Sequence, residues 1–190
     1  MLFPTIRRLQ ALLLPVILWL AANLAVSSAV YGKELVSTEY QLKSVLLYKL
    51  TRFVDWPQNE TSATGSFKIC VLGRDDFGSA LDALEKYKVK GVLIKVLRFT
   101  LSEQVDTSCR MLVISASKQP FIKTITNQFK PYPILTVGDT PHFANLGGMI
   151  QFVLKNKKIG FTINLQKATD CKLKIAAPLL QMSTIVKAKQ

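Results

Sequence analysis

"FKICVLGRDDFGSALDALEKYKVKGVLIKVLRF", residues 67–99, decides the fold. It opens on "FKICVLG", a short apolar run of strand composition. From Arg74 the apolar spacing becomes helical, through Phe77, Leu81 and Leu84, and at Gly91 a second strand-like run, "GVLIKVLRF", begins. Two strands separated by a helix are a crossover unit, which places the strands parallel and a helix on the sheet.

The rhythm continues downstream. "LSEQVDTS" (101–108) reads as a helical turn or loop, and "CRMLVIS" (109–115) as a third strand. "KQPFIKTITNQFK" (118–130) predicts a helix with Phe121, Ile122, Ile125 and Phe129 on one face, and "ILTVG" (134–138) a fourth strand after the breaker "PYP". Then the pattern changes. "MIQFVLKNKKIGFTIN" (149–164) holds two strands joined through "KNKK", an antiparallel hairpin with Asn156 and Lys157 near its tip. A closing helix is expected from Pro178, burying Leu179, Met182, Ile185 and Val186.

Upstream, "EYQLKSVLLYKLTRFVDWP" (39–57) predicts a helix with an apolar stripe of Leu42, Val45, Leu46, Leu50, Phe53 and Val54, and with Lys43, Lys49 and Arg52 in solvent. Thr38 and Gln41 form a capping box, and Pro57 ends the helix at Trp56. The expected fold is therefore one α/β domain: a mainly parallel, doubly wound sheet of about six strands flanked by helices, with a C-terminal antiparallel hairpin and a closing helix.

The N-terminus has a different purpose. Arg7 and Arg8, an apolar run from Leu9 to Val26, and the small residues Ser27, Ser28 and Ala29 follow the order of a secretory signal peptide cut after Ala29. Residues 1–29 are thus expected to leave on export, and 30–190 to form the domain. Export is expected to carry the chain out of the cytoplasm into an oxidising compartment. Of 190 residues, 49% are hydrophobic and 19% charged, and loss of Arg7 and Arg8 lowers the formal net charge from +13 to +11. Such a basic exported protein is drawn to anionic partners. Its lysines are scattered through "KYKVK", "LKNKK" and "CKLKI" rather than gathered on one helix, which with export argues against nucleic acid.

Signatures of catalysis are missing from the sequence. His142, the one histidine, lies in "GDTPHFANLGG", where Thr140 or Asp139 could cap a short helix from Pro141, and no G-x-S-x-G elbow exists for it to serve. Cys70, Cys109, His142 and Cys171 are too widely spaced for a structural zinc site, so no metal and no cofactor are expected. Asp75 and Asp76 suit the start of a helix better than acid–base work. "LGRDDFGSAL" matches no phosphate-binding loop, although Gly73, Arg74 and Asp75 stand where a strand end meets a helix and could line a small crevice. Gly147 and Gly148 allow a tight turn into the hairpin. Three cysteines in an oxidising compartment suggest one disulfide, with three pairings open.

Seven motifs in order, "YQLKSVLLYKLTRFVDWP", "FKICVLGRDDFGSAL", "VKGVLIKV", "CRMLVIS", "PILTVGDTPHFANLGGMIQFV", "KIGFTINLQKA" and "LKIAAPLLQMSTIV", together resemble the YfiR family of small periplasmic proteins across residues 39–187. The resemblance implies a repressor that binds the periplasmic sensor region of an inner-membrane diguanylate cyclase of the YfiN type, lowering cyclic di-GMP and biofilm formation. It also implies sequestration by an outer-membrane lipoprotein of the YfiB type, and allows a homodimer. It pairs Cys70 with Cys109, a bond of about 2–4 kcal/mol, and leaves Cys171 free. The family's second disulfide has no counterpart around Ala144 to Gln151. The implied partner face lies around Thr162, Asn164 and Ala168, with Thr162 standing where the family more often has an acid. A second reading comes from the fold: a small-molecule sensor or carrier with a ligand crevice at the strand ends, by Gly73, Arg74 and Asp75 and beyond Gly138.

Overall fold

The computed structural model describes residues 38–57, 65–156 and 158–186. Residues 1–37, which include the expected signal segment, residues 58–64, Lys157 and the last four residues lie outside these. The chain divides into two units, 1–39 and 40–190, and every strand among the described residues belongs to the second.

Helix α1 (38–53) runs into strand β1 (Val54–Asp55). Then come β2 (Ser66–Leu72), α2 (Ser79–Asp82) with a 3₁₀ turn at Ala83–Lys86, β3 (Lys88–Val89) and β4 (Val92–Phe99). After a turn at Ser102–Gln104 follow β5 (Met111–Ile114), a 3₁₀ segment at Ala116–Phe121, α3 (Ile122–Gln128) and β6 (Leu135–Gly138). The hairpin β7 (Ile150–Lys155) and β8 (Lys158–Ile163) leads to α4 (Leu165–Asp170), β9 (Lys174–Ile175), α5 (Ala177–Gln181) and β10 (Thr184–Ile185).

Among the described residues the main sheet has the order β10-β8-β7-β6-β5-β2-β4-β3, and β1 pairs with β9 in a separate antiparallel pair. β4, β2, β5, β6 and β7 are parallel neighbours; β7–β8 and β3–β4 are antiparallel hairpins. The mainly parallel doubly wound sheet with its late hairpin is as the sequence indicates. Eight strands stand where about six were expected because β3 and β10 are two-residue additions at the rims.

Alternation along the central strands divides the core into two layers. Ile69 and Val71 of β2 join Met111 and Val113 of β5 on the face shared with Leu47, Leu50 and Leu179. Cys70 and Leu72 join Leu112 and Ile114 on the other face, against Ile122, Ile125 and Phe129 around α3. A strand covered on both faces reads as a continuous apolar run, the character of "ICVL" and "MLVI". Phe121, expected among these, is 58% exposed because it precedes the helix proper.

Two helices depart from expectation. The buried face of α1 is Lys43, Ser44, Leu47, Leu50 and Thr51, whereas Leu42 and Val45 are 45% and 46% exposed. Rotation of the stripe is explained by Lys43, whose ammonium reaches the Asp139 carboxylate at the end of β6 at 2.5 Å and lies over the Tyr40 ring. Ser44 and Thr51 donate their hydroxyls to the carbonyls of Gln41 and Tyr48, so both can be buried. The closing helix stops at Gln181, and Thr184–Ile185 instead pair with β8, leaving Met182 and Ile185 exposed. Trp56 does turn the chain: its indole N–H donates to the Arg110 carbonyl at 3.0 Å and its ring meets Phe67 edge-on.

Candidate functional site

In a doubly wound sheet the crossovers leave in opposite directions at one point, here between β2 and β5, and a crevice opens at their C-terminal ends. Gly73 and Arg74 stand there opposite Ser115 and Ser117. Gly73 has φ of +101°, and a side chain on it would collide with the Ser117 hydroxyl. That hydroxyl accepts the Arg74 amide at 2.9 Å, drawing the two loops together. The remaining cavity, between these loops, Tyr40, Phe77 and Asp139, encloses about 10 Å³, space for one water.

Asp75 is occupied with the fold. One carboxylate oxygen accepts the amides of Phe77 and Gly78, and the other accepts Arg98 Nε at 2.6 Å. Arg98 also donates to Asp82, and although burial works against its charge, these two carboxylates hold its pKa above the ordinary arginine value. The Arg74 guanidinium turns outward to Asp76 at 2.9 Å. Helix α2 has four residues, the Phe77 and Gly78 amides just before it already have Asp75, and its Ala80 and Leu81 amides donate to the Phe77 and Gly78 carbonyls, so the strand end offers no ready anion site. His142 lies exposed in the turn after Asp139 with φ of +63°, and no helix begins at Pro141. Gly148 lies flat against the buried Phe143 ring, where a Cβ would clash; this close approach, with φ of +106° at Gly147, is why glycines lead into the hairpin.

Cys70 and Cys109 are bonded, with Cα atoms 6.1 Å apart, tying the middle of β2 to the segment that enters β5. Beside the bond, Lys68 donates to Asp106 at 2.6 Å, and the Ser108 amide donates to the same carboxylate. The Lys68 contact first, then Ser108, lowers the Asp106 pKa to about 2. Cys171 is free and buried; desolvation, with Asp170 nearby, pushes its thiol pKa up, and its Sγ donates to the Lys130 carbonyl.

The expected partner residues divide. Thr162 is half-buried on β8 and lines an open groove of about 440 Å³ with Val153, Gly160, Phe161, Met182 and Thr184. Asn164 caps α4, its Oδ1 accepting the Lys167 amide and its Nδ2 donating to the Ala144 carbonyl, so it positions the helix after the groove. Ala168 is fully buried and presents no side chain to a partner, since α4 packs that face on the core.

A second groove, of about 500 Å³, escaped the sequence reading. Lys90, Lys172 and Lys174 converge there on Asp55, Trp56 and Pro57. These lysines come from "KYKVK" and "CKLKI", which look scattered along the chain. The β1–β9 pair and the β3–β4 turn bring them together. Lys90 and Lys172 have φ of +49° and +60°, each at a turn that fixes its direction. Lys90 meets Asp55 at 3.2 Å.

These features define a doubly wound α/β domain whose strand-end crevice is almost closed and whose open, basic grooves lie on its rim. The chain belongs to the YfiR/HmsC-like family, whose model matches residues 40–184. The family is one of periplasmic regulators of diguanylate cyclase signalling. No curated protein matches the chain. Among solved structures, the ABC domain in complex with L-Trp from Streptococcus pneumonia is similar at 10% identity, covering 63% of this chain and 55% of that one, with a TM-score of 0.46. Among the described residues, no helix is long and apolar enough to cross a membrane.

Proposed function

We propose that the exported chain, residues 30–190 after removal of 1–29, is a periplasmic repressor. It binds the sensor region of an inner-membrane diguanylate cyclase of the YfiN type and holds it in an inactive conformation, lowering cyclic di-GMP and biofilm formation. The carrying observation is the family match over 40–184, nearly the whole described unit. The two open grooves lend support, since both are rimmed by lysine and the chain carries a formal net charge of +13 before processing. Basic rims speed encounter with an acidic face of the sensor and select against basic ones.

Repression needs no chemistry. A ligand shifts a two-state receptor only by its difference in affinity for the two states, so tight binding to the inactive sensor suffices. Thr162 lies on the contact surface and Asn164 holds it in place. An outer-membrane lipoprotein of the YfiB type relieves repression by competing for the repressor. The strand-end crevice has room for one water, so no observation favours the carrier reading.

Deleting the gene while measuring cyclic di-GMP, with capture of membrane partners by the tagged protein, tests the proposal. A rise in the nucleotide and recovery of a cyclase are expected. An unchanged level with no cyclase captured refutes it.

A further inference from the structure

Strand β8 is paired along its whole length with β7, but on its other side β10 covers only Thr162 and Ile163. The turn between Lys155 and Lys158 has two residues, so this closing pair exchanges both backbone hydrogen bonds, and the same pattern repeats at Val153–Gly160 and Gln151–Thr162. Ile159, Phe161 and Ile163 therefore turn their backbone groups away from β7. At Ile163 the last strand uses them, the Val186 amide donating to the Ile163 carbonyl at 2.8 Å. No strand among the described residues stands opposite Ile159 and the Phe161 amide.

Natural edges are usually blunted with charge along their length. Here the charge is confined to the hairpin end, at Lys155 and Lys158, and the edge runs beside the groove floored by Phe161 and walled by Met182, which is 65% exposed. No carboxylate lines that groove among the described residues. A second copy of this chain would bring its own lysines to a surface that cannot neutralise them.

We propose that an extended, acidic segment of the protein partner adds to the sheet as a strand along Lys158–Phe161, its carboxylates meeting Lys155 and Lys158 and its alternate apolar side chains lying on Phe161 and Met182. This rests on the repressor reading and specifies how the partner is gripped. The backbone supplies the affinity and the lysines select the charge.

Amide hydrogen exchange on the mature chain, alone and with the purified sensor region of the cyclase, tests it. The Ile159 and Phe161 amides exchange freely alone and become protected in the complex. Ile159→Pro removes an outward amide without touching the β7 ladder, the position where an edge strand accepts proline, and weakens binding about tenfold. Should that variant not fold, Lys155→Glu with Lys158→Glu, both on exposed side chains, weakens binding about as much and lowers its salt dependence. Sensor binding with both amides exchanging at their free rates overturns the strand-addition inference and leaves the repressor reading standing. Absence of sensor binding overturns both. Protection that instead grows with concentration of the chain alone identifies a second copy as the occupant and overturns the acidic-strand assignment.

Discussion

Reduction of the Cys70–Cys109 bond gives the most quantitative test of how this fold is held. The bond closes a loop across a sequence separation of 39. On the chain-entropy relation, a loop of that length restricts the unfolded state by about 4 kcal/mol at 25 °C. Both half-cystines are buried in the layer against α3, so reduced thiols remain in place without opening a cavity, and the loss is that of the cross-link. Set against the 5–15 kcal/mol of an ordinary domain, about 4 kcal/mol is a large share. For a domain of this size each 1 kcal/mol moves the melting temperature by about 2–4 °C, so reduction should lower it by about 8–16 °C. Urea unfolding followed by circular dichroism, with and without reductant, reads the same loss, and the slope should rise on reduction because the unfolded chain expands. The Cys70→Ala, Cys109→Ala double variant checks that reductant acts through this bond. A loss below about 1 kcal/mol would refute the reasoning.

Three further outcomes follow from single contacts. Lys43→Met leaves Asp139 without its ammonium at a largely buried site and should cost about 2–4 kcal/mol in urea unfolding, with Asp139→Asn added to it recovering part of the loss. Thr140 Oγ1 is buried without a hydrogen-bond partner among the described residues, so Thr140→Val should be neutral or stabilising by about 1 kcal/mol, whereas Thr136→Val, which strands the Met149 amide, should cost about 1–3 kcal/mol in the same assay. The folded-state pKa of Asp106, about 2, lies below its ordinary value of 3.8, so its stabilising effect is present above that value and fades as pH falls toward 2. Acid titration of Asp106→Asn should accordingly show a shallower fall in stability than the parent over that window; an identical slope would contradict the assignment.

The sheet was legible because its strands are short apolar runs separated by breakers, and because a strand covered on both faces carries that signature without help from its neighbours. Local rules were less informative where a long-range contact intervened. The α1 stripe looks well formed in sequence, yet one ion pair from Lys43 to Asp139, 96 residues away, rotates the helix and leaves Leu42 and Val45 outside. The closing helix fails for a related reason: β8 offers Thr184 and Ile185 an open edge, and pairing there replaces further helical turns. Residues of the grooves were hardest to see. Lys90, Lys172 and Lys174 meet because β1 pairs with β9 and the β3–β4 turn brings Lys90 beside that pair, contacts that no spacing rule announces. Ala168, placed on the partner face by the family resemblance, lies with its side chain buried because α4 packs it, together with Leu165, on the core.

Binding of the mature chain to a cyclase sensor, and inhibition through that binding, is the claim on which the functional account depends. It is tested most directly by adding the purified, oxidised chain to the sensor side of membranes that contain the cyclase and following cyclic di-GMP synthesis on the other side. Synthesis should fall in a saturable manner as the chain is added. Synthesis that stays constant while the chain is shown to be bound would contradict repression by this domain.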